Sequence, residues 1–190
     1  MTLVERVRRR FARPPERVHA VVAASPDADE RVLAWGELVR DGGWLVATSR
    51  GLRQVPAEPD ASDGGVLPWH EVASARWTAT GDGGGRFEVI RLTEVEPGVQ
   101  ARLPVERHVL ADSGDLPAVV RRRVDQTVVA SRRSPLPGSG GVLLVARRVP
   151  GQAAREWTVV FDDDADRTDP AAREAARQKL AEAVAGDRPD

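Results

Sequence analysis

Apolar and polar positions change period along the chain, and those changes mark its elements. Leu3, Val4, Val7 and Phe11 share one helical face behind a Thr2 to Glu5 capping box, while Arg6, Arg9, Arg10 and Arg13 take the opposite face. This predicts a short basic amphipathic helix over residues 1–13, ended by Pro14-Pro15. Residues 16–24 carry a faint helical pattern. From residue 31 the period shortens. Residues 31–39 and 44–55, joined by Asp41-Gly42-Gly43, read as a β-hairpin whose glycines supply the positive φ of a tight turn. After a loop at 58–65, residues 66–80 read as one extended segment with Trp69, Ala73, Ala75 and Trp77 on one face. A glycine-rich break at 81–85 precedes a strand over 86–93. Val99, Ala101, Leu103 and Val105 then alternate with Gln100, Arg102, Pro104 and Glu106, the clearest period-2 stretch, and Pro104 assigns it to a sheet edge.

The period lengthens again after residue 113. Leu116, Val119, Val120, Val124, Thr127 and Val128 form an apolar helical stripe, capped by Ser113 or Asp115 with Pro117 in the first turn. The reading carries this helix through Arg133, where it caps the open end of the sheet. Residues 134–141, rich in proline and glycine, read as an internal linker. Strands at 142–149 and 156–161 follow, turning at Pro150-Gly151, and Asp169-Pro170 starts a last alanine-rich helix that ends near Gly186. The predicted class is α+β: an antiparallel partial barrel or curled sheet of five strands capped by a helix, with a C-terminal β-β-α extension. The expected organisation is an N-terminal helix over 1–13, a sheet with its capping helix over 14–133, and the extension over 134–190, packed on the same domain.

Composition narrows the function classes. In 190 residues, 28 basic and 29 acidic side chains nearly cancel, and cysteine is absent, which removes thiol chemistry and thiolate metal sites. Of the basic residues only Lys179 is a lysine; asparagine and tyrosine are missing. The scarce residues are those with AT-rich codons, so arginine abundance reflects a GC-rich genome and is no evidence for nucleic-acid binding. No window approaches the roughly 18 apolar residues of a membrane span. The apolar run at 18–24 is too short, and interrupted by His19, to serve as a signal peptide. A cytoplasmic location is expected.

The run Trp44-Leu45-Val46-Ala47-Thr48-Ser49-Arg50-Gly51-Leu52, followed by Leu67-Pro68-Trp69-His70-Glu71-Val72, resembles bacterial PH-like or GRAM-like domains. There a strand of similar character precedes one that opens with an apolar-Pro-aromatic turn. More loosely, the whole chain resembles uncharacterised proteins of GC-rich bacteria. The resemblance covers roughly residues 31–133 and implies a PH-like fold and a non-catalytic binding module. It departs from the pattern in strand count, since a PH fold has seven strands before its closing helix and five are read here. Strands near 18–24, or the two strands after residue 141, would make up the difference.

Candidate chemistry is sparse. His19, His70 and His108 show no metal-type spacing, and on a strand His70 and Glu71 would point to opposite faces. Asp162, Asp163, Asp164 and Asp166 lack an EF-hand's glycine and glutamate, and suit a strand-to-helix junction where the helix dipole favours acids. Glycines at 81–85 and 138–141 match no phosphate loop or nucleophile elbow. The five tryptophans fall on expected strands and are assigned mainly to the core.

Charge segregation is more informative: residues 1–17 carry +4, residues 121–148 carry +6 and residues 160–190 carry −4. On the expected helix Arg121 projects with Arg132 and Arg122 with Arg133, while Arg123 falls inside the apolar stripe. The four outer arginines are the expected anion- or partner-binding face. The alternative is a solvated face paired with the acidic C-terminal helix of the same chain. No catalytic residue, metal ligand or cofactor is assigned. The expected function is a binding or scaffolding module for a protein partner or anionic ligand, with nucleic-acid binding through the arginine-rich helix as the alternative.

Overall fold

The computed structural model describes residues 13–40, 42–58, 65–81 and 83–187. The helix expected over 1–13 lies outside them, apart from Arg13. The protein is α+β. Among the described residues, three α-helices accompany a mixed, mostly antiparallel open sheet of 11 strands. None of these helices is long and apolar enough to cross a membrane. The chain forms two compact units, Met1–Ile90 with Val105–Val124, and Arg91–Pro104 with Asp125–Asp190.

The first unit opens with helix α1 (Glu16–Ala23), which buries Val18 and Val22, one turn apart. Strands β1 (Val32–Leu38), β2 (Trp44–Thr48), β3 (Gly51–Val55) and β4 (Leu67–Pro68) then pair in antiparallel order. The expected hairpin is present, with its second arm divided at Ser49-Arg50. Strand β2 is buried on both faces: Leu45 and Ala47 join the main core, while Val46 clusters with Val18 and Val55. That is why residues 44–48 read as a continuous apolar run rather than an alternating one.

Residues 66–80 are not one extended segment. A 3-10 turn at Trp69–Glu71 separates β4 from β5 (Val72–Ala79). Trp69 is buried in the turn and joins the same core that Ala75 and Trp77 of β5 pack against. The Trp69 indole Nε1 donates to the Thr48 carbonyl at 3.1 Å. Trp35, Trp44, Trp77 and Trp157 are only half-buried.

Strand β5 pairs with β6 (Gly85–Glu96). The strand expected over 99–105 is present as β7 (Val99–Arg102), in the second unit, and a further strand that was not expected, β8 (Glu106–Asp112), follows in the first. Pro104 sits between them, where its missing amide removes no ladder bond. Strand β7 has neighbours on both sides and is not an edge. Strand β8 pairs with β6 and closes on β1 through Leu38 and Leu110. Eight strands, not five, thus precede helix α2 (Leu116–Thr127). Leu116, Val120 and Val124 of α2 share one core with Leu45, Phe87 and Leu110. Burial of each such side chain contributes roughly 1.5–3 kcal/mol.

Helix α2 stops at Thr127, short of Arg133, because the next eight residues form strand β9 (Val128–Pro135). Thr127, Val128 and Val129 are β-branched and suit a strand when a partner is available. The partner is β10 (Gly141–Arg147), which pairs antiparallel with β9 in the second unit. Residues 134–141 are accordingly a hairpin connection rather than a linker, closed by the Leu136 amide on the Gly140 carbonyl at 3.2 Å.

Strand β10 also pairs with β11 (Glu156–Phe161), and β11 runs parallel to β7. Helix α3 (Pro170–Gly186) starts as expected, with the Asp169 carboxylate accepting from the Ala171 amide at 3.0 Å and Pro170 in the first turn. Ala172, Ala176 and Ala183 of α3 pack in one core with Val99, Leu144 and Phe161. Small residues at this spacing leave room for the larger strand side chains.

Candidate functional site

The four arginines expected on one helix fall on two different elements. Arg121 and Arg122 lie exposed on α2, away from its buried stripe, with Arg123 half-buried beside them. Arg132 and Arg133 are on β9, opposite Leu144 and Leu143 of β10. Successive strand residues point to opposite faces, so these two do not share one. The signal that misled was the helical stripe, whose last member, Val128, already belongs to the strand.

Part of the acidic segment neutralises arginines of its own unit. Arg133 donates to Asp162 at 3.1 Å and Arg102 to Asp163 at 3.2 Å. Arg155 pairs with Asp187 at 2.8 Å, and Arg177 with Glu174 at 2.9 Å. Asp166 accepts from both the hydroxyl and the amide of Thr168, and these bonds hold its carboxyl below the ordinary range. The aspartates at this strand-to-helix junction are therefore engaged in pairing and turn formation. Among the described residues, no group of three or more acidic or histidine side chains is arranged to hold a metal ion.

His70 lies in the 3-10 turn rather than on a strand, and its Nε2 is 4.0 Å from Glu71 Oε1. The opposite-face argument for these two residues thus does not apply. His108 on β8 is mostly buried. Burial pushes its pKa below 6.5, against the Glu106 carboxylate 3.9 Å away, which raises it. His19 is exposed on α1.

A buried polar network went unseen in the sequence. Glu30, 7% exposed, accepts at Oε1 from Thr48 Oγ1 at 2.7 Å and from Arg53 Nε at 2.9 Å. Its Oε2 accepts from Arg53 Nη2 at 2.7 Å. Burial alone would push the Glu30 carboxyl up. Hydrogen bonds from Arg53, Ser25 and Thr48, with the Arg53 charge, outweigh it and hold the pKa at about 2. Thr48 Oγ1 also accepts from the amides of Arg50 and Gly51. Residues that carry the PH-like resemblance, Thr48, Gly51 and Trp69, thus build a structural junction. Glu30 in an acidic loop and Arg53 in an ordinary strand gave no local sign of it.

Two exposed features remain. Strand β9 ends the hydrogen-bonded path of the sheet and pairs with β10 alone among the described residues, leaving an open edge that carries Arg132 and Arg133. Separately, a pocket of 110 Å³ in the second unit is lined by Arg167, Arg173 and Arg177 over an apolar floor. Comparisons with protein-family models, curated proteins and solved structures return no match.

Proposed function

We propose that the protein is a non-catalytic binding or scaffolding module that recognises an acidic, extended segment of a protein partner by strand addition to β9. The observation that carries this reading is the open β9 edge: eight residues, mostly exposed, with two arginines among them. An added strand gains main-chain hydrogen bonds from such an edge, and acidic side chains on it complement Arg132 on one face and compete with Asp162 for Arg133 on the other. Arg121 and Arg122 supply a second anion-contacting surface on the first unit. That unit is PH-like in this reading, supported by its element order: β1 to β6 and β8 make seven strands, followed directly by α2. The two strands beyond the expected five come from the divided segments at 44–55 and 66–80. The strand expected at 99–105 is β7, which lies outside the unit, and β8, a strand not among the expected five, takes its place.

Fluorescence anisotropy of the full chain with a labelled peptide of alternating valine and glutamate tests the proposal. Saturable binding is expected, weakened about fivefold or more by Arg132→Ala with Arg133→Ala, and abolished when a central proline interrupts the peptide. Absence of binding at ~50 mM salt, or indifference to the proline, overturns strand addition. Tighter binding to DNA or RNA with a steep salt dependence overturns it in favour of the nucleic-acid reading.

A further inference from the structure

The pocket in the second unit has a polar rim and an apolar floor from different elements. Arg173 and Arg177 stand one turn apart on α3, and Arg167 comes from the loop before it. Val99 of β7 and Phe161 of β11, both buried, form the floor. Glu96, at the end of β6, reaches both helical arginines: its Oε1 contacts Arg173 Nη2, and its Oε2 lies 3.6 Å from Arg177 Nη1. Glu174 also pairs with Arg177. Arg167 is exposed and has no ion-pair or hydrogen-bond partner among the described residues. Three cations thus meet two carboxylates, leaving one positive charge at the pocket mouth.

We propose that this pocket binds a small organic anion, a short-chain monocarboxylate, with Glu96 as the internal carboxylate that competes for the same guanidiniums. A planar guanidinium fork matches a carboxylate in geometry as well as charge. The apolar floor gives the class its second property, because a ligand with one anionic and one aliphatic end leaves neither surface unmatched. A phosphate would set charge against Val99 and Phe161. The volume of 110 Å³ is somewhat below the roughly 150 Å³ of a cavity that admits benzene, so a ligand of about five heavy atoms such as propionate fits. This site is independent of the β9 edge, and neither proposal depends on the other.

The test is calorimetric and NMR titration of the full chain with propionate, inorganic phosphate and 1-propanol. Propionate is expected to saturate in the millimolar range, with shifts at Val99, Phe161 and Arg167, while phosphate and propanol do not. Arg167→Ala, which breaks no pair, is expected to weaken propionate about fivefold or more. Glu96→Gln removes the competing carboxylate and is expected to tighten binding by about fivefold. A merely structural Glu96–Arg173 pair would give no such gain. No saturation below ~50 mM propionate, equal binding of phosphate or propanol, or an unchanged or weaker affinity in Glu96→Gln overturns the proposal. Far-UV circular dichroism of each variant establishes that the fold is retained. If Glu96→Gln unfolds, Arg177→Gln gives the same decision, with loss of propionate binding expected and unchanged affinity overturning the site.

Discussion

Replacement of Glu30 by glutamine tests the buried network most directly. The substitution keeps the side-chain volume and removes only the charge that faces the Arg53 guanidinium, 6% exposed. A carboxyl held at about 2 instead of 4.5 favours its charged form by roughly 3 kcal/mol, at about 1.4 kcal/mol per pH unit. Breaking a buried pair from one side costs about 3–5 kcal/mol, so Glu30→Gln is expected to lose about 3 kcal/mol of stability at pH 7. The folded pKa lies below the unfolded one, so the contribution is complete above pH 4.5 and disappears as the pH falls towards about 2. Native protein and variant should therefore converge, with the difference at pH 3 about half that at pH 7 or less. Urea unfolding followed by tryptophan fluorescence reads this, since Trp35, Trp44, Trp69 and Trp77 all lie in the first unit. The double variant Glu30→Leu with Arg53→Met should fall within about 1–2 kcal/mol of native, because no lone charge remains buried. Thr48 Oγ1 keeps the Gly51 carbonyl as an acceptor, 3.1 Å away. A Glu30→Gln variant within ~0.5 kcal/mol of native at pH 7, or a difference that does not shrink with acid, would refute the reasoning.

Three further outcomes are expected. Arg147, 7% exposed on β10, donates to Thr127 Oγ1 at 2.9 Å while its Nε has no partner; Arg147→Met should leave thermal stability unchanged or raise it by about 1 kcal/mol, and a loss above ~2 kcal/mol would contradict a net desolvation cost there. Gly140 has φ +73°, and a Cβ on it would lie 2.7 Å from the Ala165 backbone. Gly140→Ala should therefore cost clearly more in chemical denaturation than Gly138→Ala, which has the same backbone strain but open space, at about 1–2 kcal/mol. For His108, proton NMR titration should give a midpoint below 6.5. Its depressed folded pKa means the associated stability is complete above 6.5 and is lost as the pH falls further; a midpoint at or above that value would contradict burial as the dominant cause.

Local chemistry was legible wherever an element is specified by its own residues. Asp169 and Pro170 start α3 because a carboxylate cap and a proline with no amide to lose both satisfy the first turn. Residues 142–149 and 156–161 read as strands because they are apolar runs of strand length with a turn between, and β10 and β11 form there at Gly141–Arg147 and Glu156–Phe161. The candidate site was less legible. Arg121 and Arg122 were placed on the correct helix, but Arg132 and Arg133 were joined to them by a helical repeat that outlived the helix. The pocket arginines were seen only as part of a charge count. Their partner Glu96 is 77 residues from Arg173 in the chain, and no local pattern links them.

The amino-acid sequence by itself determined the class of the protein, most element starts, the apolar face of α2 and the segregation of charge. These follow from side-chain period, capping and turn chemistry, which act over a few residues. The tertiary structure decided where α2 gives way to β9, how residues 99–112 divide between two units, and which charges meet. Those outcomes depend on backbone and ionic partners far away in the chain. A β-branched run such as residues 127–129 serves helix or strand until a second strand is beside it, and a glutamate such as Glu30 is a surface acid until Arg53 is buried against it.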